Sequence, residues 1–296
     1  QKAIGYSLTG DTRMECLFIL YGPTSRNGKG TTMESILRIM GEYGKNADPT
    51  MLQAKFNSQS GGPYEEIARL AGSRFVNISE PEKKITLDAA LTKRLTGNDT
   101  ITARYLHENS FEFRPNFKIF INTNHRPNIT DLTLFESGRI KIIPFDRHFE
   151  ENEQDKDLKS TFAKPENMSG ILNWMLEGYK LFRSQGLAMP DSVVQATTDY
   201  QIFSDKMGQF FDECIEEKEG CELRRGAVYT RYKEWCGENG YRAEAAKNLN
   251  QEIEKRYKTA RKRPNDGASS STTPMVLDVA FTASEESKED FAPLTS

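Results

Sequence analysis

The segment Tyr21 to Thr32, which reads YGPTSRNGKGTT, constrains the fold of this chain more than any other stretch of its sequence. It follows the apolar run CLFILY and precedes a helix-like stretch from Thr31 to Met40. A glycine-rich turn between a buried strand and a helix is the context of a phosphate-binding loop. Glycines let backbone N–H groups approach phosphates, the helix N-terminus favours negative charge, and Lys29 is spaced to reach the β- and γ-phosphates. The sequence therefore predicts a nucleotide site here.

The predicted loop departs from the usual pattern in two ways. Five residues rather than four separate Gly22 from Gly28, and Gly30 stands where a serine or threonine usually binds magnesium. Thr31 or Thr32 then has to supply that hydroxyl, and we predict Thr31 as the metal ligand. An ordinary glycine-rich turn is the alternative interpretation. The predicted nucleotide-binding residues are Gly22, Pro23, Thr24, Ser25, Arg26, Asn27, Gly28, Lys29, Gly30, Thr31 and Thr32.

Two further strands end in residues suited to phosphate chemistry. RFVNISEPE places Glu80 after an apolar strand, where a carboxylate holds Mg²⁺ or polarises the attacking water, with Glu82 as the competing candidate. FKIFINTN ends in Asn124, whose neutral amide suits orientation of the lytic water. The alternatives are a helix-capping acid and a turn asparagine before Pro127. Lys29, Glu80 and Asn124 are our predicted catalytic residues within one subunit.

Arg139 completes the predicted catalytic set. It comes just before the apolar strand IKIIPF, and a guanidinium suits the charge that develops on a transferred phosphoryl group. A neighbouring subunit is able to supply such a group. A surface arginine at a strand start is the alternative.

The order of elements predicts an α/β fold. Up to about residue 200, short apolar strands alternate with helical stretches, which favours a largely parallel sheet. We predict an ATPase domain over residues 1–200. A smaller winged-helix-like unit is predicted over 205–282, with its first helix reaching about Lys218 and a strand–loop–strand at its end. Residues 283–296 are polar and acidic, which predicts a disordered tail.

Basic residues surround a predicted hairpin and the last helix. The strands ITARYL and FEF flank the polar turn HENS, and a hairpin with a basic tip is suited to tracking a phosphate backbone. Lys247 to Arg263 is also rich in lysine and arginine, as in a recognition helix and wing. A solvated hairpin and helix face are the alternatives. The predicted DNA-binding residues are Lys93, Arg104, His107, Lys118, Lys255, Arg256, Arg261, Lys262 and Arg263.

Composition excludes several classes of protein. Lysine and arginine total 40 against 43 aspartate and glutamate, a net charge of -3, which excludes a uniformly basic nucleic-acid binder. The 4 cysteines form no C-x-x-C pair, and with 3 histidines they argue against a zinc site and for reduced thiols. No apolar run reaches the roughly 18 residues of a membrane span. We therefore expect a cytoplasmic protein.

Taken together, these motifs resemble the superfamily-3 helicases, specifically the helicase half of phage and plasmid primase–helicases related to the poxvirus helicase-primase. The resemblance rests on LYGPTSRNGKGT, SEPE, LTKRLTGNDTITARYL, FRPNFKIFINTNHRPNI and RIKIIPF. It implies an AAA+-like P-loop NTPase fold, ATP with Mg²⁺, and hexameric rings that translocate on single-stranded or forked DNA. It also implies that a primase domain and a helical collar lie upstream of Gln1, and that the protein acts in a bacterial host cell.

The resemblance assigns roles to individual residues. Lys29 is implied as the loop lysine, Glu80 as the acid of the second nucleotide motif, Asn124 as the sensor and Arg139 as the arginine donated across a subunit interface. The hairpin from Ile101 to Arg114 is implied as the DNA-gripping element. Two other functions stay open at this point. One is a replication-initiation or regulatory DNA-binding protein that uses ATP as an assembly switch, and the other is a small-molecule kinase.

Overall fold

The computed structural model describes residues 1–54, 65–79, 85–262 and 272–282. The chain divides into two units, Gln1–Ser204 and a second unit that starts at Asp205. The strands of the first unit are β1 (Leu17–Tyr21), β2 (Gly44–Ala47), β3 (Phe75–Ser79), β4 (Ile101–Ala103), β5 (Phe111–Phe113), β6 (Lys118–Thr123) and β7 (Ile140–Pro144). Its helices are α1 (Lys2–Tyr6), α2 (Lys29–Met40), α3 (Glu65–Ala68), α4 (Ala89–Thr96), α5 (Thr133–Glu136), α6 (Leu158–Phe162), α7 (Pro165–Gln185) and α8 (Asp191–Ser204).

The central sheet of this unit is parallel. Within the described residues it has five strands in the order β2-β3-β6-β1-β7, and every neighbouring pair runs in the same direction. This confirms the predicted α/β fold. Because the strands are parallel, their carboxyl ends meet at one edge, and ligands of open α/β sheets bind outside that edge.

Both faces of the sheet are buried, which explains why β1 is apolar throughout. Leu17 and Ile19 point into one hydrophobic cluster, and Phe18 and Leu20 point into the other. The rings of Phe18 and Phe120 stack with their centroids 4.8 Å apart. Helices on each face exclude water, so strands of this kind show no alternation of polar and apolar residues.

Local sequence explains where two other elements begin. The side chain of Asp88 accepts a hydrogen bond of 2.9 Å from Leu91 N, so α4 starts at Ala89. β4 and β5 pair antiparallel, with Ile101 opposite Phe113, which confirms the predicted hairpin. Strand β2 was not predicted, because its sequence GKNA carries no apolar pattern.

The second unit contains α9 (Lys206–Cys214), β8 (Ile215–Arg224), α10 (Arg225–Glu238), α11 (Ala246–Arg256), β9 (Thr259–Lys262) and β10 (Thr273–Phe281). Its three described strands form an antiparallel sheet in the order β8-β10-β9. The succession helix, strand, helix, helix, strand, strand is compatible with the predicted winged helix, which stays a prediction. The sequence predicts a helix as far as Lys218, but α9 ends at Cys214 and the acidic segment after it is the edge strand β8.

Aromatic side chains form the core of the second unit. Phe210 packs edge-on against Tyr232 and Trp235, with ring centroids 5.1 and 6.0 Å away. All three side chains are buried. The predicted disordered tail, 283–296, lies outside the described residues. None of the helices in the described ranges combines the length and apolarity needed to span a bilayer.

Lys118 lies at the start of β6 and does not contact solvent. The residue is 2% exposed, and its ammonium group donates to the carbonyl oxygens of Thr9, Asp11 and Asn116. It also lies 4.6 Å from the centroid of the Tyr6 ring. The prediction that Lys118 binds DNA is therefore wrong, because its donors tie the segment before β1 to the sheet. Lys118 therefore contributes contacts to the fold rather than to a DNA-binding surface.

Burial lowers the pKa of Lys118 to about 7, from an ordinary lysine value near 10.4. Between these values the unfolded chain binds more protons than the folded chain, so this group makes stability rise with pH over that window. We predict that Lys118→Met flattens the rise in the free energy of unfolding between pH 7 and 9, measured by urea denaturation. Lys45→Met, at an exposed position of β2, controls for the loss of one charge. Equal slopes for wild type and Lys118→Met would contradict the assignment.

Candidate functional site

The loop between β1 and α2 has the backbone of a phosphate cradle. Gly28 caps the N-terminus of α2 with a φ of 84°, and Arg26 also has a positive φ of 57°. Left-handed residues of this kind let successive N–H groups face one concavity. Asn27 is buried, and its amide donates to Thr24 O at 2.6 Å, which holds the loop closed on itself. The loop is therefore preformed for an anion.

Gly22 is required by its surroundings. A Cβ atom at this position would lie 2.3 Å from Phe145 O and 2.5 Å from the Asn27 amide nitrogen. Phe145 follows β7, and its N–H donates to Tyr21 O at 2.7 Å, so the backbone that crowds Gly22 is itself fixed. By contrast, a Cβ atom at Gly30 would meet no atom within 4 Å.

The structure brings Lys29 and Asn124 together. Lys29 Nζ donates to Asn124 Oδ1 at 2.7 Å and to Gly22 O at 3.2 Å. The lysine is 3% exposed, and burial lowers the pKa of its ammonium group. Among the described residues no carboxylate pairs with this charge. A desolvated cation held only by neutral oxygens favours an incoming anion.

A cleft of about 190 Å³ lies beside this pair. Within the described chain it is lined by Ser25 to Thr31 and by Asn122 to Asn124. The two sides come from the loop after β1 and from the carboxyl end of β6, which is adjacent to β1 in the sheet. Gly22, Pro23, Thr24 and Thr32 belong to the predicted loop but do not line the cleft.

The two candidate hydroxyls for magnesium differ in their hydrogen bonds. Thr32 Oγ1 donates to Gly28 O at 3.0 Å, and its residue is not part of the cleft lining. Thr31 lines the cleft. Of the two candidate hydroxyls, that of Thr31 therefore belongs to a residue at the cleft. Glu80, the second predicted ligand, lies outside the described residues, as does Glu82. Ser79, which precedes Glu80 in the chain, pairs with Asn122 at the same edge of the sheet.

Arg139 lies at the opposite edge of the sheet. It precedes β7, and its carbonyl accepts from Leu17 N at the start of β1. The five residues of β1 separate the two edges by about 15 Å. The guanidinium of Arg139 is paired with Glu15 Oε2 at 2.6 Å and donates to Thr96 Oγ1 at 2.9 Å. Arg139 therefore does not meet Lys29 within one chain, and its predicted role in a neighbouring subunit stays a prediction.

The hairpin presents part of the predicted DNA-binding set to solvent. Arg104 and His107 are exposed in the turn between β4 and β5, and Leu106 between them is 57% exposed. His107 has a φ of 64°. Lys93 is instead bonded to Asp131 at 2.8 Å, which compensates its charge.

The predicted basic face of the second unit is largely compensated. Lys255 pairs with Glu252 at 3.0 Å, Arg256 with Asp205 at 3.1 Å, and Lys262 with Glu222 at 3.1 Å. Exposed pairs of this kind are worth about 0–1 kcal/mol, so a phosphate is able to compete for them. Arg261 is exposed. Arg263 lies outside the described residues.

Sequence reasoning missed two features next to the site. The segment after β7 covers the loop, since Phe149 N donates to Arg26 O at 2.9 Å and His148 Nδ1 lies 2.9 Å from Ser25 O. The parallel sheet implies that β7 ends at the same edge as β1. The sequence alone does not show that the segment after β7 contacts the loop. The second is Arg126, two residues after Asn124, whose position depends on aromatic rings from β1 and α8.

Gly22 is crowded and Gly30 is not, so replacing each of them by alanine gives a matched pair of variants. We predict that Gly22→Ala lowers the free energy of unfolding by about 1–3 kcal/mol, because fixed backbone has to shift. Gly30→Ala should leave it unchanged or raise it by up to about 1 kcal/mol, because alanine favours the helix. Urea denaturation of both variants measures this difference. Equal effects of the two substitutions would contradict the geometry described for the loop.

Two family profiles match the chain, one in each unit. A family of unknown function (DUF5906) matches residues 20–139, which include the loop, Asn124 and Arg139. The family described as Poxvirus D5 protein-like matches residues 203–284.

Relatives occur among large DNA viruses and a virophage. The chain is 28% identical over 251 residues to "Putative helicase L207/L206" of Acanthamoeba polyphaga mimivirus, covering 78% of this chain and 26% of that protein. It is 28% identical over 233 residues to "Putative helicase 022R" of Frog virus 3, covering 73% of this chain and 24% of that protein. The chain thus spans about a quarter of the length of these relatives. They come from viruses of eukaryotes, so they do not support the expected bacterial host.

The fold also matches that of solved structures. The apo A-form structure of the NrS-1 C-terminal region superposes with a TM-score of 0.55 at 13% identity, covering 94% of this chain and 69% of that one. A second apo structure of that region gives a TM-score of 0.51 at 15% identity, covering 90% and 67%. Identities this low show a shared fold. The Poxvirus D5 protein-like match and the viral relatives, together with this shared fold, support the resemblance of the chain to a superfamily-3-like domain of the primase–helicase family.

Proposed function

We propose that this chain is the motor part of a DNA-replication helicase, which binds and hydrolyses ATP at the loop between β1 and α2. The observation that carries the proposal is the buried Lys29 ammonium, held 2.7 Å from Asn124 Oδ1 at the mouth of a preformed anion cradle. The viral relatives whose names include helicase support the same function. They are low in identity and longer than this chain, so the activity is proposed rather than transferred.

The residues of the cleft divide the chemistry between them. The loop N–H groups and the N-terminus of α2 hold the phosphates, and Lys29 transfers its hydrogen bonds from Gly22 O and Asn124 to a terminal phosphate oxygen. The Asn124 amide is then free to orient a water molecule for attack. Thr31 and Glu80 are the residues proposed to hold Mg²⁺, which neutralises charge on the phosphates when bound. Excluding bulk water around Lys29 strengthens each of these interactions.

Arg139 is proposed to act on the nucleotide of a neighbouring subunit. Its distance from its own cleft excludes a role there, so its contribution depends on assembly into a ring. Charge stabilisation by an arginine supplied in trans is a known device of phosphoryl transfer. In the isolated chain Glu15 and Thr96 hold its guanidinium, and these contacts have to open before it reaches a neighbour's phosphates.

DNA is proposed to bind at two surfaces, each within its own unit. The hairpin turn offers Arg104 and His107 together with the exposed Leu106, which suits contact with a phosphate backbone and with bases. The winged-helix unit offers α11 and the strands β9 and β10. Arg261 is exposed there. The paired lysines and arginines can bind phosphates once their ion pairs with carboxylates break, and such surface pairs are weak.

Steady-state ATP hydrolysis, titrated with single-stranded DNA on samples of measured oligomeric state, tests this function. We predict that DNA stimulates hydrolysis by the oligomer, and that Lys29→Ala lowers kcat on the order of 10²-fold or more. Asn124→Ala should lower kcat while ATP still binds. Asn116→Ala, an exposed amide at the other end of β6, is the matched control and should leave kcat unchanged.

Two results would count against the motor. An oligomer that binds ATP and DNA without hydrolysis would favour an ATP-dependent assembly switch. Hydrolysis that survives Lys29→Ala would place the reaction outside this loop.

A further inference from the structure

Arg126 is a cation held by three aromatic rings. Its guanidinium carbon lies 5.0 Å from the ring centroid of Tyr21, 5.5 Å from that of Tyr200 and 4.9 Å from that of Phe203. The residue is half-buried. Within the described part of the chain, no hydrogen-bond partner meets its buried Nε, and no carboxylate pairs with it.

This environment fixes the side chain without compensating its charge. Contacts between a guanidinium and aromatic faces stabilise a partly desolvated cation by about 0.5–2 kcal/mol, but rings accept no strong N–H hydrogen bonds. The fork of donors on an arginine is suited to a bidentate contact with a phosphate or carboxylate. The aromatic rings therefore orient the Arg126 side chain, but none of the described residues supplies an anion that pairs with its charge.

Arg126 lies beside the nucleotide cleft rather than in its lining. It follows Asn124 by two residues at the carboxyl edge of the sheet, and Tyr21 directly precedes Gly22 of the loop. Tyr200 fixes the backbone of the same segment, since its hydroxyl donates to Pro127 O at 2.6 Å. The cation thus follows β6, and one of its rings, Tyr21, ends β1, the two strands whose ends form the cleft, while the other two rings come from α8.

We propose that Arg126 is a second phosphate-contacting cation of this site, with the terminal phosphate of a nucleoside triphosphate as its partner and Tyr21, Tyr200 and Phe203 as the rings that position it. The assignment rests on the proposed function. It adds to Lys29 a residue that distinguishes a triphosphate from a diphosphate, because only the triphosphate carries the group that Arg126 contacts.

The test compares binding of the β,γ-imido analogue of ATP with binding of ADP, both with Mg²⁺, by calorimetry on the whole chain. Arg126→Gln should weaken the affinity for the analogue about 10- to 100-fold and leave the affinity for ADP within about 2-fold. Phe203→Leu, which removes one ring, should cause a smaller loss in the same direction. Arg13→Gln is the matched control, because Arg13 also lies over a ring, that of Phe182 at 5.9 Å, before β1.

Two further measurements are made on each variant. Thermal denaturation checks that it is folded, and binding to a labelled single-stranded oligonucleotide measures its affinity for DNA. Selective loss of the triphosphate preference in a folded variant supports the assignment. Equal loss of both nucleotides would overturn it in favour of a packing role. Loss of oligonucleotide affinity with unchanged nucleotide binding would instead place the phosphate on DNA and also overturn it. If the wild-type chain bound no nucleotide, the proposed function would fail, and the assignment with it.

Discussion

The buried ammonium group of Lys29 is the interaction on which the site depends. Removing a charge from water is costly, and in the described chain only the neutral oxygens of Gly22 and Asn124 compensate it. That imbalance makes an anion the natural partner of the cleft. It also explains the local sequence, because Gly22 admits the lysine, Asn27 closes the loop, and Gly28 turns the backbone into α2.

The two edges of the parallel sheet bring together different sets of residues. The carboxyl edge gathers the loop, Asn124 and Arg126. The amino edge gathers Lys118, which ties down the segment before β1, and Arg139 with its partner Glu15. Among the described residues, the loop, its cleft and the buried Lys29 lie at the carboxyl edge, whereas Arg139 lies at the amino edge. If Arg139 takes part in the reaction, it therefore does so for another copy of the chain, and assembly becomes a requirement for turnover.

The sequence predicted the parts of the fold that depend on strong local patterns. Apolar runs located β1, β3, β6 and β7, and the glycines with Lys29 located the loop. β2 was missed because its sequence GKNA has no such pattern, and β8 was missed because its acidic residues are typical of an exposed helix. The prediction that Lys118 binds DNA was wrong because a lysine next to a hairpin is usually exposed, whereas tertiary contacts bury this one. Arg126 could not be found from sequence, since its aromatic rings come from distant segments.

Hydrogen exchange with and without the Mg²⁺ complex of the β,γ-imido ATP analogue tests the central claim most directly. A ligand held by the loop and by the end of β6 slows exchange in the segments it orders. We predict slower deuterium uptake in peptides covering residues 22–32 and 122–126, lost in Lys29→Ala. Unchanged exchange in both segments, with protection confined to residues 225–256 of the second unit, would contradict a nucleotide site built around Lys29 and Asn124.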